Sequence, residues 1–162
     1  MELAIAYPNI GLLAVMNRKH VDLLIMGTKC ASDEEETLFG SNTLIVMEYL
    51  TECPILAIPG GHRIVGRNKI DFPTDYETAF DQERLKYMLV ITKSHNSEIK
   101  ILHSKKERYL EATPERNKAL LDSVFKGLQC SFHLLDNMRI HKGIQSFVED
   151  ENCDAIVFVD EE

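Results

Sequence analysis

Short runs of consecutive apolar residues alternate along this chain with longer stretches whose apolar positions recur every three or four residues. The runs are Leu23-Leu24-Ile25-Met26, Ile55-Leu56-Ala57-Ile58, Ile99-Lys100-Ile101-Leu102, Phe132-His133-Leu134-Leu135 and Ala155-Ile156-Val157-Phe158-Val159. Lys69-Ile70-Asp71-Phe72 is shorter and more mixed. A strand with one wet face alternates apolar and polar residues. Uninterrupted runs instead predict strands buried on both faces, the habit of parallel sheets. The periodic stretches predict helices. Their stripes are Leu12, Val15 and Met16; Leu44 and Met47, with Ser41 as N-cap; and Phe80, Tyr87 and Ile91, widened by Leu85, Met88 and Leu89. Two more are Leu121, Val124, Phe125 and Leu128, entered by Thr113 and Pro114, and Ile140, Ile144, Phe147 and Val148. Such stripes serve a core. Alternating strands and helices on short connections predict an α/β fold, an open parallel sheet with helices on both faces.

One segment breaks the rhythm. Pro59-Gly60-Gly61-His62-Arg63-Ile64-Val65-Gly66-Arg67-Asn68 has no clear period and reads as a linker. The predicted organisation is therefore a first part over 1–59, a linker over 60–68 and a second part over 69–162. There is also an internal echo. The stretch from Asn9-Ile10-Gly11-Leu12 to Asp22-Leu23-Leu24-Ile25 lies on that from His141-Lys142-Gly143-Ile144 to Asp154-Ala155-Ile156-Val157 at constant offset. Gly11 falls on Gly143 and Asp22 on Asp154, which reads either as generic βαβ similarity or as a domain-sized repeat.

Charge narrows the partners. Eighteen Lys and Arg against 26 Asp and Glu leave a net charge of −8. That argues against nucleic acid, whose phosphates call for a basic surface. No apolar run approaches a bilayer span and no basic-then-apolar leader opens the chain, so neither membrane insertion nor secretion is expected. Cys30, Cys53, Cys130 and Cys153 form no C-x-x-C pair. They read as reduced thiols of a cytoplasmic protein, with no metal site expected. His103 and His133 fall in or just after predicted strands, outside any Ser-His-Asp or His-x-x-x-His arrangement. They read as structural histidines, and the chain is not expected to be an enzyme.

The chemistry centres on the loop after the first strand. It runs from Met26-Gly27 through Cys30 and Asp33-Glu34-Glu35-Glu36 to Gly40-Ser41-Asn42, where a helix opens. Helix-end N–H groups with a hydroxyl suit an anion, and the carboxyl end of a parallel strand is where open α/β sheets bind ligands. This sequence resembles the universal stress protein family, whose motif Gly-x2-Gly-x9-Gly-(Ser/Thr) is met at Gly27, Gly40 and Ser41. Cys53-Pro54-Ile55-Leu56-Ala57-Ile58-Pro59 resembles the family's fifth strand. Phe72-Pro73-Thr74-Asp75-Tyr76 resembles the end of its first. The resemblance implies a Rossmann-like sheet of order 3-2-1-4-5 and an adenine-nucleotide ligand, ATP with Mg²⁺. It places Pro73 and Asp75 near the base, Met26 and Gly27 along the nucleotide, and Gly40, Ser41 and Asn42 on the phosphates.

The order of the motifs differs from the family's. Here the glycine motif and fifth strand come first and the Pro-Thr-Asp strand follows the linker, as if one domain's end were joined to the next one's start. Two arrangements stay open. The N-terminal strands dock beside Ile70-Asp71-Phe72 and complete a permuted five-strand sheet, leaving Ala155–Val159 as a competitor for that place. Otherwise each half completes itself in another chain. A homodimer is expected either way, because open sheet edges recruit partners. Cys30 stands at the motif's second glycine, and four carboxylates lie inside the loop. These departures support an alternative of the same fold, an interaction module that binds no nucleotide. Two further readings are a slow ATP-hydrolysing switch with a carboxylate-held Mg²⁺, and a fragment of a longer tandem protein.

Overall fold

The computed structural model describes residues 16, 21–28, 41–50, 53–59, 68–104, 112–135 and 140–159. The protein is α/β, with every strand pair parallel, and it divides into two compact units, Met1–Arg63 and Ile64–Glu162.

In the first unit, strand β1 (Leu24–Thr28) pairs with strand β2 (Ile55–Pro59), in register from Leu24↔Ile55 to Thr28↔Pro59. Helix α1 (Ser41–Tyr49) lies between them in the chain. Met16, Val46, Leu50 and Cys53 form a buried cluster joined by Val21, Leu24, Met26 and Ile55. The expected stripe of Leu44 and Met47 is displaced. Leu44 is 46% exposed, while Thr43, Val46 and Leu50 face inward. The helix is apolar almost all round over Leu44–Met47, so its pattern has no polar face to fix the phase, and packing chooses it. β1 also departs from two-sided burial, since Ile25 is 59% exposed.

The second unit holds β3 (Lys69–Thr74), α2 (Lys86–His95), β4 (Glu98–Ser104), α3 (Ala112–Val124), β5 (Gln129–Leu135), α4 (Ile140–Glu151) and β6 (Ala155–Ile156). The strand order is β5-β4-β3-β6. The side of β3 that one expected arrangement offered to the N-terminal strands pairs with β6, through Ile70↔Ala155 and Asp71↔Ile156, and β1 pairs with β2. Of the expected strand Ala155–Val159, only Ala155 and Ile156 join the ladder.

Alternation along the central strands assigns the faces. Ile70 and Phe72 of β3 and Ile99 and Ile101 of β4 pack with Met88 and Leu89 of α2 and with Leu121 of α3 in one cluster, which Phe80, Leu85 and Phe125 complete. Phe72 meets Phe80 and Phe125 edge-on, with centroids 5.5 and 6.1 Å away. Phe80 therefore belongs to the core but precedes the helix, which a turn introduces: the Asp81 carboxylate accepts the Arg84 amide at 2.9 Å. α4 lies over the opposite face. A Cβ on Gly143 would meet the Leu135 side chain, Phe147 meets His133 edge-on, and the Glu151 carboxylate reaches Lys100. α2 ends at Asn96, whose left-handed backbone Asn tolerates. β4 has the two-sided burial that its continuous run predicts, and the more mixed β3 shares it. β5, at the end of the strand order, does not: Phe132 and Leu134 are exposed.

Candidate functional site

The chain steps outward from β3 to β4 and β5, then returns across the sheet to place β6 on the other side of β3. The order reverses between β3 and β6. In open α/β sheets, the crevice beyond the strand carboxyl ends at such a reversal is where ligands bind. Pro73, the last residue but one of β3, and Asp75, the first beyond the strand, stand there.

This segment is built closely. The Tyr76 amide donates to Thr74 Oγ1 at 3.1 Å, and the Glu77 amide donates to Asp75 Oδ1 at 3.0 Å. The second contact is an Asx turn, so one oxygen of the predicted base-binding carboxylate shapes its own loop. Tyr76 has φ of 63°, a left-handed conformation that costs a bulky residue about 1–2 kcal/mol. Its ring is buried and stacks on His103 of β4 at 4.4 Å. Burial, with a smaller contribution from Cys130, pushes the Tyr76 hydroxyl up to about 12, so it stays neutral. His103 Nδ1 lies 3.2 Å from the Thr74 carbonyl, a contact in which the ring nitrogen carries the proton and donates. From α3, Asn117 Nδ2 donates to the Tyr76 carbonyl at 2.8 Å and to the Glu77 carbonyl at 3.1 Å.

The predicted site residues fall into groups. Pro73 and Asp75 come together at the end of β3 in the second unit. Met26 and Gly27 are neighbours in β1 of the first unit, with Met26 half-buried and Gly27 exposed. A Cβ on Gly27 would touch only the Ile58 carbonyl, at 4.0 Å, so the described packing leaves room for a side chain there. Ser41 and Asn42 open α1. Gly40, Cys30 and the acidic run Asp33–Glu36 lie outside the described residues. Sequence reasoning missed Asn117 and the role of Tyr76. A lone Asn in a helix four residues before Leu121 was the available signal, because that spacing puts both on one face.

A second polar cluster lies inside the sheet, on the face that α4 covers. Asp71 of β3 and Lys100 of β4 sit at paired register positions. Asp71 is fully buried, and among the described residues no side chain pairs with either carboxylate oxygen. Burial pushes it up to about 7, with the Phe72 amide pulling the other way. Lys100 spends its ammonium elsewhere, 2.9 Å from Glu151 and 3.5 Å from Glu98. These bonds, led by that to Glu151, hold Lys100 above and Glu151 below their ordinary ranges. Burial, and then the Asp71 charge, push the Cys153 thiol up to about 11. On β5, Ser131 Oγ lies 2.8 Å from His133 Nε2, and Phe147 covers the ring edge-on. No group of three or more His, Cys, Asp or Glu side chains suited to a metal exists among the described residues. Among those residues, too, no helix is long and apolar enough to cross a membrane. No protein family, curated protein or solved structure matches the chain.

Proposed function

We propose that this chain is a universal stress protein-like, adenine-nucleotide-binding domain that acts by binding rather than by catalysis, as a cytoplasmic homodimer. The observation that carries the reading is the reversal of strand order at β3, with Pro73 near the strand's carboxyl end and Asp75 just beyond it. In the family order 3-2-1-4-5, β5, β4, β3 and β6 take the places of strands three, two, one and four. By the family resemblance, Pro73 and Asp75 take the base, Met26 and Gly27 lie along the nucleotide, and Gly40, Ser41 and Asn42 are N–H and hydroxyl donors to the phosphates of ATP, which carries Mg²⁺.

Thermal unfolding with and without ATP and Mg²⁺ tests this. At a ligand concentration of about 100 times Kd, binding stabilises by roughly 2.7 kcal/mol and raises Tm by several degrees. Ser41→Glu abolishes that shift by setting a carboxylate against the phosphates, while the unliganded Tm stays put. No shift at millimolar ATP overturns the reading. The alternative, an interaction module of the same fold, is favoured by the uncharged terminal strand β5, whose Phe132 and Leu134 are exposed. It predicts self-association or partner binding that ATP leaves unchanged.

A further inference from the structure

We infer that Asn117 is a positioning residue for the base end of the nucleotide site: from α3 it clamps the loop after β3 into the conformation that receives the ligand. The inference rests on the nucleotide reading above and adds to it a residue that touches no ligand.

The loop has two kinds of restraint. Two are local: Thr74 Oγ1 accepts the Tyr76 amide, and Asp75 Oδ1 accepts the Glu77 amide. Bonds of this kind close small rings and form in many turns. Two come from distant parts of the chain. The His103 ring donates to the Thr74 carbonyl and stacks on Tyr76. The Asn117 amide spends both its protons on successive carbonyls, those of Tyr76 and Glu77. Asn117 is buried, on the same stripe of α3 as the fully buried Leu121. A residue serving packing alone would be apolar there. An amide fits because the loop turns two carbonyls inward, and each needs a donor.

The conformation being held is a costly one. Tyr76 is the central residue of the turn and has a left-handed backbone. A bulky residue keeps that backbone only where its surroundings determine it. Releasing the two carbonyls lets Tyr76 relax toward the ordinary backbone region, and Asp75, one residue before it, then points elsewhere. A ligand that requires the clamped loop binds more weakly in proportion to the fraction of molecules still clamped.

Calorimetric titration of the full chain with ATP, adenosine and inorganic tripolyphosphate tests this, with unliganded unfolding as the control for folding. Asn117→Ala is expected to weaken adenosine and ATP at least tenfold and to leave tripolyphosphate unchanged, because the phosphates are held elsewhere. Should Asn117→Ala not fold, Asn117→Ser, which keeps one donor, is expected to give the same pattern with a smaller loss. Unchanged adenosine affinity in a folded variant overturns the inference. So does an equal loss for all three ligands, which marks a general structural effect. If the unsubstituted protein binds neither adenosine nor ATP, the nucleotide reading itself fails and takes this role with it; adenosine binding that the variants leave intact fails the role alone.

Discussion

The buried carboxyl of Asp71 makes stability depend on pH in an unusual direction. The group is fully buried between the paired positions of Lys100 and Ile156, and its folded-state value stands near 7 against an ordinary 3.8. Between those values the folded protein keeps a proton that the unfolded chain has released. Stability is therefore fully present below about pH 4 and falls by about 1.4 kcal/mol per pH unit until the folded group ionises near pH 7. The whole span corresponds to roughly 4 kcal/mol, a large part of a domain's total stability. Paired carboxylates elsewhere slope the other way, so the comparison that isolates this group is with Asp71→Asn, which keeps the shape and cannot ionise. Urea unfolding of both proteins between pH 5 and pH 8 is the assay. The stability of Asp71→Asn relative to the unsubstituted protein is expected to rise by about 3 kcal/mol across that range, with equal m-values. Parallel pH curves would refute the reasoning. They would mean that Asp71 ionises at little cost, by drawing in water or the Lys100 ammonium.

Two further outcomes follow from packing and burial. A Cβ on Gly143 would come within 2.5 Å of Leu135 Cδ1 and 2.9 Å of its Cγ. Gly143→Ala is thus expected to destabilise by about 1–3 kcal/mol despite its better helix propensity, and Leu135→Ala is expected to recover part of that loss in the double variant. Denaturant midpoints of the two single variants and the double variant check it. Burial holds the thiols of Cys130 and Cys153 near 11, with Asp122 and Asp71 respectively adding to the effect. Both are expected to alkylate on the order of 100-fold more slowly at pH 8 than in the unfolded chain, because the thiolate is the nucleophile. Mass spectrometry of iodoacetamide time courses reads the rates, and equal rates would contradict the burial.

Much of the second unit was legible because its determinants are local. The runs around Ile99, Phe132 and Ala155 are continuous, that around Ile70 is shorter and more mixed, and each contributes a strand. The stripes around Leu121 and Ile144 have polar faces to set their phase, and both residues are buried. Phase was lost in α1, which lacks that contrast, and burial was overread in Ile25, Phe132 and Leu134. Composition marks a residue as apolar, but whether both faces of its strand are covered depends on which elements lie above and below. At the candidate site, Pro73 and Asp75 stand out in the sequence through the family resemblance of the segment that ends a strand. Asn117 was not, because its partners lie 41 and 40 residues away.

By itself, then, the sequence determined the element types, the parallel α/β class and the acidic charge, since periodicity, β-branched runs and ionisable side chains act within a few residues of themselves. Only the tertiary structure decided that β6 pairs beside β3, that β1 and β2 pair with each other, and that Asp71 and Lys100 take neighbouring register positions inside a sheet. Several strands of similar composition compete for one place beside β3, and the winner depends on connection and packing over the whole unit. The same holds for the loop after β3. Its residues allow many turns, and a helix some forty residues on selects the one that forms.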